Sequence, residues 1–250
     1  MIIAIQKSQR VLWRGGMAAL AALIALLWAG TLLAHQPFFE EDDLTPTTPL
    51  RVADPQVSTA LYATLDRVGD VDYFVFNGAA GVGVEMGMTI PQIPGQAEFA
   101  PTVAVIGPGL PTAEAQLLPD DETRQLVTGG DGVYLLSPGT VSSFYEPFSR
   151  TSYWRRQSEK VTLPADGVYT LAVWSADNRV GRYVLVVGDR EIPGGDLTFP
   201  MKLPVYWTPV DAPGATVESG VVPTQQPAVC GWLERLLAHF SARAKNRCAF

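Results

Sequence analysis

Three aspartates, Asp66, Asp70 and Asp72, fall within the stretch DRVGDVDYF. Carboxylates at this density suit Ca²⁺, which takes six to eight oxygens from clustered carboxylates and carbonyls. The spacing lacks a complete loop signature of the D-x-D-x-D-G kind, and aspartates at turns also bond their own backbone. Two readings stand: a calcium site on these three residues, or turn chemistry.

A second set of reactive side chains lies at 142–156, SSFYEPFSRTSYWRR. Aromatic rings beside guanidinium and carboxylate groups can stack on sugars or hold a peptide. The candidate ligand-binding residues are Tyr145, Glu146, Arg150, Tyr153, Trp154 and Arg155. The competing reading is a long loop folded over the sheet, its rings filling the second apolar face of the strand at 73–76. A binding loop predicts that Trp154→Ala loses a partner at unchanged stability; a core loop predicts that it unfolds the domain.

Catalysis has little material. No histidine occurs from 36 to 238 and no cysteine before 230, so Ser-His-Asp, Cys-His and HExxH chemistries are missing from this region. No catalytic residue is singled out. A carboxylate pair of the glycosidase kind stays open, although no motif marks one. No Gly-rich loop enters a helix to cradle phosphate. His35 could chelate copper if cleavage after Ala34 made it the amino terminus, but its only histidine partner is the remote His239.

The elements that must position these residues read as strands. Residues 82–90 alternate, with Val82, Val84, Met86, Met88 and Ile90 on one face, which is the period of a half-buried strand. Further strands are expected at 58–65, 71–76, 102–106, 132–136, 160–163, 168–174 and 182–187. At 73–76 both faces are apolar, so that strand needs cover on both sides. DGVYLL, DGVYTL and GRYVLVV repeat a Gly-x-Tyr entry, in which a turn precedes a packed tyrosine. No amphipathic helix is expected between 57 and 207. The fold class is all-β, an antiparallel, jelly-roll-like β-sandwich.

The ends differ from the middle. Residues 15–34 are 20 consecutive uncharged residues, enough for a helix of about 30 Å, the thickness of a bilayer core. Lys7, Arg10 and Arg14 precede them and Glu40, Glu41, Asp42 and Asp43 follow, which orients the N-terminus inward and the body outward. Leu32 at −3 fits cleavage after Ala34 poorly, so 1–34 is an anchor or a signal peptide. Residues 35–56 read as an extended, acidic, Pro-rich spacer, 57–207 as the sandwich and 208–228 as a flexible linker. Residues 229–250 read as a basic amphipathic helix too charged to span a bilayer. Cys230 and Cys248 are the only cysteines. On one helix, 18 residues would hold them about 27 Å apart, beyond bridging distance.

The segment 35–228 carries 24 acidic and 11 basic side chains. Such a surface repels phosphate backbones and excludes nucleic acid as an expected partner.

GDVDYFVF followed by an alternating strand resembles the first half of a pre-peptidase C-terminal domain, and PADGVYTLAVWSADNRVGRYVLVVG resembles its last hairpin. The likeness spans about 57–188. It implies a secreted β-sandwich that binds or targets without catalysing. The chain is also similar to uncharacterised exported prokaryotic proteins made of this sandwich alone behind a hydrophobic segment, including their insertion SFYEPFSRTSYW. No enzyme domain accompanies the sandwich here. The expected function is a non-catalytic extracytoplasmic module tethered to the membrane, or secreted if 1–34 is cleaved, with a protein or carbohydrate ligand. The alternatives are a carboxylate-using hydrolase and an accessory subunit of a membrane complex.

Overall fold

The computed structural model describes residues 35–210. The expected N-terminal hydrophobic helix, the C-terminal amphipathic helix and both cysteines lie outside the described residues. Strands run β1 Gln36–Phe39, β2 Leu50–Arg51, β3 Thr59–Leu65, β4 Val71–Gly78, β5 Gly83–Pro91, β6 Thr102–Pro108, β7 Asp131–Leu135, β8 Ser142–Glu146, β9 Thr151–Thr162, β10 Gly167–Trp174 and β11 Gly181–Val187. Two short α-helices, α1 Asp121–Gln125 and α2 Phe199–Tyr206, and a 3₁₀ turn at Ala115–Leu117 complete the set. Neither helix is long and apolar enough to cross a membrane.

The strands form two sheets, ordered β1-β3-β11-β5-β9-β8 and β2-β4-β10-β6-β7. Through β6 the chain changes sheet at every strand, so sequence neighbours face each other across the sandwich. Alternation dictates which side chains meet there. Val84, Met86, Met88 and Ile90 from β5 face Phe74 and Phe76 from β4, all fully buried in one core. Each such side chain contributes about 1.5–3 kcal/mol by leaving water. Phe76 stacks on Tyr169 with ring centroids 5.6 Å apart.

The Gly-x-Tyr entries have a steric cause. Tyr169 and Tyr183 are completely buried. A Cβ on Gly181 would lie 2.7 Å from the Phe99 ring, and one on Gly132 would lie 1.9 Å from the Leu110 carbonyl oxygen. Glycine is required where a neighbour already fills that space.

Both sheets are covered outside as well. Val71, Tyr73, Ala104 and Trp174 on the five-stranded sheet pack beneath Leu118 and the segment around α1. The Tyr73 hydroxyl lies 2.6 Å from Thr123 Oγ1, and Asp120 caps α1 by accepting from the Thr123 amide at 2.7 Å. On the six-stranded sheet, Tyr62, Tyr153 and Val184 pack against Phe199, Leu203 and Tyr206 of α2.

Three expectations are corrected. First, two short helices, α1 and α2, lie between 57 and 207, where no amphipathic helix was expected, and α2 is not amphipathic. Its sequence FPMKLPVY has apolar residues around much of its circumference and Pro204 in its interior, so no amphipathic period is visible. Its docking energy replaces propensity: the Tyr206 hydroxyl reaches the carbonyls of both Ala63 and Tyr183, bridging β3 to β11. Second, 35–56 is not a solvated spacer. Gln36 pairs with Thr59 and Leu50 with Phe74, both in parallel register, and Leu44 and Val52 are buried. The sandwich is therefore antiparallel except at these two edge strands. Prolines and acids mask a few apolar residues that are spaced widely but sufficiently. Third, 142–156 is no loop over β4. It forms β8, a turn and the start of β9 at the edge of the other sheet. The second face of β4 is covered by the segment around α1 instead.

Candidate functional site

A groove of about 260 Å³ crosses the outer face of the six-stranded sheet beside α2. Ala60, Gly87, Val184 and Val186 line its floor, and Phe144, Phe148 and Tyr153 supply aromatic rings. Phe144 stacks on Tyr153 at 5.6 Å, and Phe148 stacks on Phe199 at 4.5 Å. The guanidinium of Arg155 sits 4.8 Å above the Phe144 ring. Glu85, Glu146 and His35 also border the groove. Chemically this is an apolar trough with an aromatic wall and charges of both signs at its rim. It is suited to a ligand with an apolar body and polar ends.

The β8–β9 hairpin divides the six sequence-predicted ligand residues. Glu146, Tyr153 and Arg155 reach the groove. Two of these also hold the hairpin: Glu146 accepts the amides of Phe148 and Ser149, and the Tyr153 hydroxyl donates to Ser149 Oγ at 3.0 Å. Burial pushes the Tyr153 phenol above its ordinary pKa. Tyr145 is 59% exposed and does not line the groove. Arg150 occupies the turn with φ +52° and is exposed. Trp154 points the other way and packs against the inter-sheet core.

A second polar centre lies where residues 40–44 meet β4. The predicted metal trio does not assemble. Asp70 accepts the Asp66 amide at 2.8 Å and pairs with Arg67 at 2.9 Å, and Asp66 also pairs with Arg67. Those two residues serve the turn. Asp72 instead joins Glu40 and Asp43, with carboxylate oxygens mutually within 4.8 Å. Asp72 is fully buried; its Oδ2 accepts from the Tyr183 hydroxyl at 2.6 Å. Its Oδ1 has no hydrogen-bond partner among the described residues, an expensive condition for a buried charge. Burial, followed by the Glu40 charge, raises the Asp72 carboxyl well above its usual range. Burial also pushes Glu40 up to about 7, opposed by its bond from the Thr64 amide. Carboxylate oxygens this close, one of them orphaned, fit a hard cation such as Ca²⁺. Glu40 and Asp43 also line a cleft of about 690 Å³ with Phe38, Leu50 and Lys202.

His35 meets a serine and a carboxylate, but not as a catalytic relay. Its Nδ1 is 2.6 Å from Ser58 Oγ and 3.4 Å from Glu191 Oε1. Both contacts use one ring nitrogen, and Ser58 is buried, so no proton path runs from serine through the ring to the carboxylate.

The groove floor escaped the sequence reading. Its signal was present: in β3 and β11, Tyr62, Val184 and Val186 alternate with the core residues Leu61, Tyr183 and Leu185. Strands apolar on both faces must be covered twice.

No family model matches the chain, and no curated protein matches it. Among solved structures it is similar to the pre-peptidase C-terminal domain of a collagenase from Bacillus anthracis, at 13% identity over 58% of this chain and 97% of that one, with a TM-score of 0.30. It is also similar to PliG of Aeromonas hydrophila, a periplasmic inhibitor of g-type lysozyme, at 12% identity over 62% and 98% of the respective chains, with a TM-score of 0.28.

Proposed function

We propose that this chain is a non-catalytic binding module, displayed outside the cytoplasm on its N-terminal hydrophobic segment, that takes a protein or carbohydrate ligand in the outer-face groove. The observation that carries this reading is the groove itself: small apolar side chains below, Phe144 and Tyr153 at one side, and Arg155 at the rim. The basic residues before 15–34 and the acidic run after it support the location. The test is recovery of a partner from native membranes with the wild type, Arg155→Ala and Val186→Trp, the last filling the groove. Loss of the partner by both folded variants supports the reading. Undiminished recovery by both contradicts it.

The hydrolase alternative needs two free carboxylates flanking a bond. It has less support, because Glu40 accepts from Thr64 and Asp43 pairs with Arg67 at 2.9 Å. The orphaned Asp72 oxygen favours a second role for that centre: Glu40, Asp43 and Asp72 hold Ca²⁺ and so clamp residues 40–44 to β4. Calorimetric titration of wild type and Asp72→Asn with Ca²⁺ tests it. Equal heats from the two proteins would sink it.

A further inference from the structure

The sequence places an uncharged run directly before the described residues, and the fold begins without delay. The Gln36 amide already donates to Ser58 O at 2.8 Å, opening β1. Only His35 separates residue 34 from this strand. With the tether proposed above, β1 would start two residues after the hydrophobic run.

Several apolar side chains are exposed beside β1. The chain from 191 to 202 runs along this edge: Gln36 Nε2 donates to Ile192 O at 3.3 Å, and the Asp196 amide donates to Pro37 O at 2.7 Å. Phe38 is 37% exposed, Ile192 39%, Leu197 87% and Met201 70%. Among the described residues, four of the nine exposed large hydrophobic side chains thus fall on β1 or on the segment bonded to it. Leu197 and Met201, four positions apart, project from the start of α2 and the turn before it, while Phe199 and Leu203 face the sheet.

We infer that this edge is a lipid-contacting lip, with Ile192, Leu197 and Met201 entering the interface of the bilayer that holds residues 15–34. The inference rests on the membrane tether proposed above. The occupant is an apolar lipid interface and not an anionic headgroup layer, because the neighbouring charges are mainly acidic. Glu41, Asp42, Glu191 and Asp196 lie on these segments, with Lys202 paired to Glu41 and Asp196. Insertion therefore draws on apolar burial, as for interfacial helices, without help from surface potential.

The test uses the full chain with Cys230→Ser and Cys248→Ser, reconstituted in phosphatidylcholine vesicles. An environment-sensitive fluorophore is attached at Leu197→Cys, Met201→Cys or, as control, Leu117→Cys on the opposite sheet's cover. Each parent side chain is at least half exposed, so the labels leave the core intact. Spin-labelled lipid should quench positions 197 and 201 at least threefold more than 117. Equal quenching at all three, in protein that resists an alkaline wash, overturns the lip and leaves the tether standing. Release by the wash overturns both. A blue shift at 197 that grows with protein concentration without lipid quenching also overturns the lip and identifies a second copy as the occupant.

Discussion

The Tyr183 hydroxyl donates to Asp72 Oδ2 across 2.6 Å, and both residues are fully buried. Tyr183 stands on β11 and Asp72 on β4, so this bond ties one sheet to the other. Tyr183→Phe strands the carboxylate and should cost about 2–3 kcal/mol. Adding Asp72→Asn should recover part of that loss, since a neutral amide is less costly to leave unpaired. Urea unfolding of the single and double variants measures both steps.

Stability should fall as pH rises through neutrality. Burial holds the folded Glu40 pKa at about 7, above its usual 4.5. The folded chain therefore retains a proton that the unfolded chain releases between those values, and stability decreases as pH increases across that window. Asp72 is shifted in the same direction by its burial. Thermal unfolding at pH 5 and pH 8 should show the higher midpoint at pH 5, and Glu40→Gln should flatten the difference. A wild-type midpoint that is higher at pH 8 contradicts this.

Calcium should act where protons do not. At pH 8 the raised carboxyls of Glu40 and Asp72 are closer to their ionised forms than at pH 5, so millimolar Ca²⁺ held with Asp43 should raise the melting temperature more at pH 8. Asp72→Asn should remove the increment. Calorimetric scans with Ca²⁺ and with chelator decide it.

Two adjacent residues should separate folding from binding. Trp154 packs against the inter-sheet core, so Trp154→Ala should lose about 2–3 kcal/mol, somewhat below the cost at a fully buried site. Arg155 is exposed and lies over Phe144. Arg155→Ala should change stability by under about 0.5 kcal/mol and still lose the partner. Denaturant unfolding beside partner recovery reads both quantities.

Much of the fold was legible because period-two alternation is a local property. Val84, Met86, Met88 and Ile90 announce their strand without help from the rest of the chain. The edge strands β1 and β2 were not legible, since four and two residues carry too little pattern. Helix α2 was hidden by Pro204, being stabilised by the sheet it covers and not by its own sequence. At the candidate sites, the fold groups the residues differently from their order in the sequence. Asp70 sits in the turn before β4 and bonds the Asp66 amide and Arg67, whereas Asp72, on the strand itself, points inward to meet Glu40 and Asp43. Trp154 and Arg155, adjacent on β9, separate because successive strand residues point to opposite faces.

The central claim is that the outer-face groove takes a partner. A photo-crosslinking amino acid at position 155, compared with one at Arg124 on the opposite sheet's cover, tests it in native membranes. The account predicts a discrete adduct from position 155 that Val186→Trp abolishes, and none from position 124. The same bands from both positions, or none from position 155 in folded protein, would contradict it.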